Sequence, residues 1–486
     1  MSLRKQALSG VFWTSIQQFS TQGISFVVSI ILARLLLPSE FGLIALIGVF
    51  IGIGSALVGS GLSQSLIRTT DPDDEDFSTV FFFNLGGSIV IYLIIFFSAP
   101  LIALFYKEAI LTLLIRVYSV IFIINAFSTI QNTILLKNLD FKRQLIVSIP
   151  SLIIGSVIGI TLAYNGFGVW SLVWNSIVQS SLMAIQLWYW SKWKPKWVFS
   201  KEKFKYHFGY GFKLTISSII DTFFNNAYTI IIGKFFTTAQ VGFYNRADSL
   251  KQLPVTNITQ IINKVTFPLF ASIKDDDVRL KEINKKIMKM VIFIVAPTLA
   301  LMLVLAEPLI SLLLGEKWMP AVPYFKILCL NGLLFPIHSY NLNILKVKGR
   351  SDLFLKLEIV KKIIIIVVIA CTFQLGIDGL LYGSVLLSLI SFFINSYYTG
   401  KFINYNTIEQ IKDIIPAVII AFFMGLIVHF ADKGLKYQMG YDIDIVRLLV
   451  GSVIGSLLYL TFSYMIKLSS ISELLMILHK KRNLKS

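Results

Sequence analysis

The sequence predicts an all-α polytopic membrane protein with about fourteen transmembrane helices: two pseudo-symmetric six-helix halves followed by a C-terminal helix pair. Three observations carry this prediction. The 486 residues are 56% hydrophobic and 14% charged, with a mean hydropathy of +0.75, too little charge to cover a soluble surface. Mostly apolar runs of about twenty residues, enough to cross about 30 Å of hydrocarbon, recur along the chain. Finally, "IILARLLLPSEFGLIAL" (30–46) returns at 230–246 as "IIIGKFFTTAQVGFYNR", pairing Arg34 with Lys234, Phe41 with Val241 and Gly42 with Gly242 without a gap.

The first apolar run, 9–37, is too long for a signal-peptide core and lacks a small-residue cleavage site, so it reads as a retained span. Further spans are expected at about 41–67, 77–105, 109–137, 145–164, 172–191, 209–232, 240–272, 288–306, 321–345, 362–375, 379–399, 413–431 and 443–466. The eleventh is short unless it borrows its neighbours. With a cytoplasmic N-terminus, alternate connections such as "KNLDFKR", "KWKPKWVFSKEKFK", "KDDDVRLKEINKK" and "KVKGRSDLFLKLEIVKK" hold most of the Lys and Arg. The opposite connections, such as "LPSE", "YKE" and "GIDG", hold few. This asymmetry places both termini in the cytoplasm and explains the net charge of +18 without a nucleic-acid partner.

The repeat carries the end of span one onto the end of span seven, so the halves are parallel repeats: 1–200 (spans one to six) and 201–400 (spans seven to twelve). Residues 401–486 add spans thirteen and fourteen and the solvated tail "HKKRNLKS". Between the halves, Trp188, Trp190, Trp193 and Trp197 interleave with Lys192, Lys194, Lys196, Lys201 and Lys203, which suits the cytoplasmic headgroup level. The acidic run "DPDDED" (71–76) reads as a helix cap.

Enzymatic signals are missing from the sequence. No Walker-type loop marks an ATPase, Cys329 and Cys371 form no disulfide framework, and His207, His338, His429 and His479 lack metal spacing.

Four segments together carry a family resemblance: "ARLLLPSEFGL" (33–43), "VGFYNRADSLKQLPVTNI" (241–258), "AEPLISLLLGEKWMPAVPYFKIL" (306–328) and "KGRSDLFLKLEIVKK" (348–362). Over roughly residues 1–400 the chain resembles bacterial polysaccharide flippases of the multidrug/oligosaccharidyl-lipid/polysaccharide exporter superfamily, in the branch handling lipopolysaccharide and colanic-acid-type units. The resemblance implies two six-helix lobes around a central cavity. It also implies a bacterial inner-membrane location and an undecaprenyl-diphosphate-linked oligosaccharide as substrate, flipped to the outer leaflet by alternating access. Membrane lipids and the polysaccharide polymerase machinery are the implied partners. No cofactor is implied beyond an H+ or Na+ coupling ion. In related lipid-II flippases an extra helix pair shapes a groove for the lipid tail, which is the expectation for spans thirteen and fourteen. The family often has an acidic residue five positions before the Gly-Lys or Gly-Arg that closes span seven; here that position is Tyr228, so no coupling role carries over to it.

A diphosphate crossing an apolar layer calls for cations inside spans, where each costs several kcal/mol. The candidates for substrate binding are Arg116, Lys251, Arg246, Lys213 and Arg34, with snorkelling to the headgroups the competing reading for Lys213 and Arg34. Gln18, Gln22 and Ser25 form a polar face on span one that suits sugar or interhelical hydrogen bonds. Asp221, deep in span seven, reads either as a coupling site or as a partner for Lys251, for which Asp248 offers an alternative. Gly48, Gly52, Ala56 and Ser60 read as helix-packing residues, and Pro254 and Pro297 as kinks. The runner-up function, a cation-coupled multidrug exporter, would call for acidic rather than basic cavity residues. A glycan polymerase or ligase would call for a large external loop.

Overall fold

In hydrocarbon every backbone N–H and C=O must be satisfied within its own segment, so the apolar runs fold as helices. The computed structural model describes residues 3–437 and 443–473, and among these all regular elements are helical. The tail 479–486, with His479, lies outside the described residues, as does the Ser60 side chain. Ten helical segments among the described residues are long and apolar enough to cross a membrane. The segments at 170–190, 201–235 and 238–272, richer in polar side chains, are not among them. The chain is an all-helical polytopic membrane protein that divides into two compact units, Met1–Gly242 and Phe243–Ser486.

The first unit holds α1 (Leu3–Leu35), α2 (Pro38–Arg68), α3 (Asp74–Tyr106), α4 (Leu111–Tyr118), α5 (Ile121–Lys137), α6 (Phe141–Tyr164), α7 (Trp170–Trp190), α8 (Lys201–Asn225), α9 (Ala227–Phe235) and the first residues of α10 (Thr238–Ser272). The repeated corner has the same local structure in both copies. α1 ends at Leu35 and α9 at Phe235; α2 starts at Pro38 and α10 at Thr238. The Leu37 N–H donates to Glu40 Oε2 (2.6 Å), and the Thr237 N–H donates to Gln240 Oε1 (3.0 Å). Each bond satisfies a donor at a helix start that the helix cannot.

The two corners also pack on each other. A Cβ on Gly42 would overlap the Thr238 carbonyl, and a Cβ on Gly242 would overlap the Pro38 carbonyl, its repeat equivalent. From there α2 runs antiparallel to α8. A Cβ on Gly52 would sit 3.0 Å from Thr222 Cγ2, and one on Gly211 would sit 2.8 Å from the Gly61 backbone carbon. Ser65 and His207 meet one turn further on. The four-residue stripe is therefore used unevenly: nothing lies within 4 Å of a Cβ on Gly48, and the tightest approach to α8 is at Gly61, off the stripe. A helix with about 3.6 residues per turn rotates a four-residue stripe away from its partner. This packing puts α8 and α9 in the first unit, which extends past residue 200 to Gly242.

The second unit continues α10 and adds α11 (Asp277–Val304), α12 (Ala306–Leu314), a 3-10 turn (Glu316–Ala321), α13 (Val322–Gly332), α14 (Phe335–Val347), α15 (Ser351–Thr372), α16 (Gly376–Ile403), α17 (Thr407–Tyr437) and α18 (Asp444–Met465). The eleventh expected span does borrow its neighbours: α15 begins at Ser351, inside the basic stretch assigned to a connection. α17 lies along α11 in parallel register. Lys281 and Lys285 pair with Glu409 (2.7 and 3.1 Å), and Lys285 and Lys289 pair with Asp413 (3.2 and 3.0 Å). α18 is fixed to α17 by a buried fork in which Arg447 Nε and Nη2 donate to the two Asp432 carboxylate oxygens, each at 2.8 Å.

The corner packing predicts that Gly42→Ala lowers stability by about 1–3 kcal/mol, because a backbone carbonyl has no rotamer with which to yield. Gly48→Ala should be neutral or slightly stabilising. Thermal melting of the two purified variants in detergent checks both.

Candidate functional site

Among the expected cation sites, Arg116 has a local explanation. Pro100 interrupts α3 and removes the N–H that would reach the carbonyl of Phe96, four residues earlier. Arg116 on α4 fills that place: its Nε donates to the Phe96 carbonyl at 3.2 Å, and its guanidinium carbon lies 4.4 Å from the Phe96 ring centroid. Lys251 is buried and pairs with Asp248 at 2.6 Å, the i,i+3 partner weighed from the sequence. Its stem packs where a Cβ on Gly332 would touch at 3.0 Å. Arg246 lies 5.9 Å from the centroid of the buried Trp318 ring. Lys213 and Asp221 are exposed on α8, Arg34 is exposed at the end of α1, and Gln18 and Gln22 are half-buried. The neighbouring Gln17 reaches α6, donating to Ser148 Oγ at 3.4 Å. Lys251 and Arg246 belong to the second unit and the others to the first.

A cluster outside the candidates expected from the sequence joins α2, α3 and α8. His207 is fully buried; its Nδ1 is 2.8 Å from Ser65 Oγ and its Nε2 is 3.0 Å from Asp76 Oδ1. Asp76 Oδ2 accepts from Lys203 Nζ (2.9 Å) and from the Asp73 N–H (3.0 Å), while Asp73 Oδ1 accepts from the Asp76 N–H (2.8 Å). The acidic run therefore does cap α3, as expected, and it also holds α8 through Lys203 and His207, which share a helix face at i,i+4. Arg68 extends the same contact, 4.4 Å from the Tyr210 ring centroid. The Ser–His–Asp order resembles a hydrolase triad, but Ser65 and His207 are 0% and Asp76 3% exposed, which leaves no room for a substrate. The Lys203/His207 pair at i,i+4 following an acidic run is the available signal. Among the described residues no cluster of His, Cys, Asp and Glu could hold a metal ion.

The second unit carries an apolar groove of about 360 Å³ lined by α11, α13 and α17. Leu299, Leu303, Leu330, Ala421, Phe422 and Gly425 form its walls. Leu330 and Phe422 are exposed, so the groove is open along its side. Because α13 runs opposite to α11 and α17, Lys326, Val304 and His429 gather at one end. Lys326 pairs there with Glu307 at 3.4 Å.

Two predictions follow from these contacts. Asp76→Ala should cost about 1–3 kcal/mol, the scale of leaving the hydrogen-bond partners of a buried group unsatisfied, and His207→Gln, which keeps a donor, should cost less. The Asp76 N–H holds Asp73 below the usual carboxylate range, and the hydrogen bond to Asp76 holds Lys203 above its ordinary value. The Asp73 contribution is therefore lost as pH falls through the acid range, and the Lys203 contribution as pH rises past about 10. Both contributions are present between these limits, and a melting profile in detergent should fall toward each of them. Separately, Arg116→Leu should destabilise by about 1–3 kcal/mol by orphaning the Phe96 carbonyl. Adding Pro100→Ala should recover most of that loss, as read by the same melting assay.

The comparisons with known proteins agree with one another. Residues 31–323 match the Polysaccharide biosynthesis protein family. The chain is 25% identical over 463 residues to the teichuronic acid biosynthesis protein TuaB of Bacillus subtilis (strain 168), covering 94% of this chain and 95% of TuaB. It is also 25% identical over 404 residues to the lipopolysaccharide biosynthesis protein WzxC of Escherichia coli (strain K12), covering 82% of each. A third relative is the succinoglycan biosynthesis transport protein ExoT of Rhizobium meliloti (strain 1021), 24% identical over 97% of this chain and 95% of ExoT. Among solved structures, the chain is similar to the lipid II flippase MurJ in an inward closed conformation, with TM-score 0.75 and 13% identity over 94% of this chain and 98% of MurJ. It is similar too to an inward-facing MATE multidrug resistance transporter of the MOP superfamily, with TM-score 0.60 and 18% identity over 81% and 98% of the two chains. These two likenesses show a shared fold. With more than half of its length matched, the chain belongs to the Polysaccharide biosynthesis protein family.

Proposed function

We propose that this protein moves undecaprenyl-diphosphate-linked oligosaccharide from the cytoplasmic to the outer leaflet of the bacterial inner membrane, for surface polysaccharide or lipopolysaccharide assembly. The observation that carries this reading is the apolar groove on α11, α13 and α17 with Lys326 at its end. A polyprenyl chain is already soluble in the bilayer and needs only a guide, whereas the diphosphate and glycan need cations and water. An open apolar channel ending in the partly exposed Lys326–Glu307 pair, from which the lysine can turn to a phosphate, suits the junction between the two. α17, the thirteenth of fourteen proposed crossings, supplies one wall, in keeping with the resemblance to lipid-II flippases.

In this mechanism the protein alternates between conformations that admit the headgroup from each side. The candidates for positive potential at the diphosphate are, each within its own unit, Arg34 and Lys213 in the first and Arg246 and Lys251 in the second, and Gln18 and Gln22 of the first unit offer hydrogen bonds to sugar. Arg116 supports α3 at its proline. The exposed carboxylate of Asp221 is the candidate site for a coupling proton or sodium ion. The polar character of α8 and α10, which keeps both off the set of apolar spans, supports a water-facing role for these helices.

The test is transfer of purified lipid-diphosphate-linked glycan across liposome membranes. Gly425→Phe fills the groove and should reduce transfer at least tenfold. Gly425→Ala, whose Cβ would make only ordinary contact with Val304 at 3.4 Å, should retain it. Full transfer by a folded Gly425→Phe variant would sink the groove assignment, and no transfer by the wild type would sink the flippase reading.

A further inference from the structure

We propose that the first unit carries a binding site for an anionic phospholipid, separate from any path of the transported glycan. It is built from α5, α6, α7 and the segment that follows α7. A niche of about 220 Å³ there is lined by Gln131, Asn138, Asp140, Arg143, Trp190 and Lys192, among others. Next to it an open groove of about 510 Å³ is lined by Ile124, Phe127, Ser181, Ala184, Ile185 and Trp188. Both lie on α5 and α7 and adjoin end to end: Phe127 of the groove is one turn from Gln131 of the niche, and Trp188 follows Leu187 of the niche. The groove wall is fixed in place, because Trp188 Nε1 donates to the Phe127 carbonyl at 2.8 Å.

Charge identifies the ligand class. Arg143 commits its Nε to Asp140 Oδ2 at 3.0 Å, and its backbone N–H donates to Asp140 Oδ1 at 3.2 Å. Its two terminal guanidinium nitrogens make no hydrogen bond among the described residues, and neither does Lys192. Arg143 and Lys192 set against Asp140 leave one net positive charge, which matches the single negative charge of a phosphodiester. Arg143 is 49% exposed, within reach of a headgroup without giving up its partner. The niche is smaller than the roughly 300–1,000 Å³ of sites that enclose whole small molecules, so it suits a headgroup phosphate and not a glycan. The groove above it, with Ile185 64% exposed, suits an acyl chain. Lys194, Lys196 and Lys201 flank the niche in sequence, which by the positive-inside rule puts the site in the cytoplasmic leaflet.

The experiment is native mass spectrometry of the full-length protein in detergent, titrated with dioleoyl-phosphatidylglycerol or dioleoyl-phosphatidylcholine. The wild type should retain the anionic lipid in preference. Arg143→Gln and Lys192→Gln should each weaken that preference about five-fold, the scale of one surface cation. Ala184→Trp should reduce retention of both lipids without changing the preference. Lys194→Gln, a neighbouring exposed cation outside the niche, should change nothing. An undiminished preference in the Arg143→Gln/Lys192→Gln double variant would overturn the site, and so would an equal effect of Lys194→Gln. Farnesyl diphosphate displacing phosphatidylglycerol at lower concentration would overturn the phospholipid assignment in favour of a polyprenyl diphosphate. None of these readings depends on transport, so the flippase proposal stands or falls separately.

Discussion

The first unit depends on a backbone-to-backbone approach that only glycine allows. Within a bilayer, lipid tails are as apolar as leucine, so helices gain little by burying leucine against each other and associate through close packing and polar contacts. At Gly42 and Gly242 two helix starts come together with each carbonyl occupying the space where the other's Cβ would be. Gly61 and Gly211 repeat the device further along α2 and α8. Between these two points α2 and α8 have little freedom to slide, and the polar cluster of Ser65, Asp76, Lys203 and His207 closes the same seam at its end. Shape fixes the distance and hydrogen bonds fix the register.

This arrangement answers the question raised by the duplicated segment. The repeat is a matched pair of corners, and within the first unit the two corners are each other's packing surface. A substitution tolerated in one copy would still have to fit the carbonyl of the other. The two features that both copies share, a glycine and a capping side chain three residues into the turn, are the two that such a contact needs.

Much of the fold was legible because hydrocarbon permits so few backbone solutions. Long apolar runs gave helix positions closely, and the short eleventh span was lengthened by charged residues that the helix carries as an internal pair, Lys361 with Glu358. The site was less legible, for a physical reason: a cation inside a span looks the same in sequence whether it awaits a ligand or mends the protein's own backbone. Arg116 is the clear case, since its partner is a carbonyl freed by Pro100 on another helix. His207 is illegible as part of a cluster because its partners, Ser65 and Asp76, lie more than a hundred residues away in sequence. Lys251 shows the opposite limit, where a neighbour at i,i+3 could be named in advance.

The polarity of α8 has a consequence for how the chain is made. A segment with Lys203, His207, Lys213 and Asp221 partitions poorly into lipid by itself, since each charged residue opposes release from the translocon. Its partners on α2 and α3 are upstream and so have already been synthesised when α8 emerges. The acceptor Asp76 and the glycine surface of α2 therefore stand ready to receive it, and insertion of α8 becomes a docking event onto protein rather than a dissolution into lipid. Biogenesis of this unit must accordingly proceed as an ordered assembly, in which the earliest helices act as the solvent for a later one.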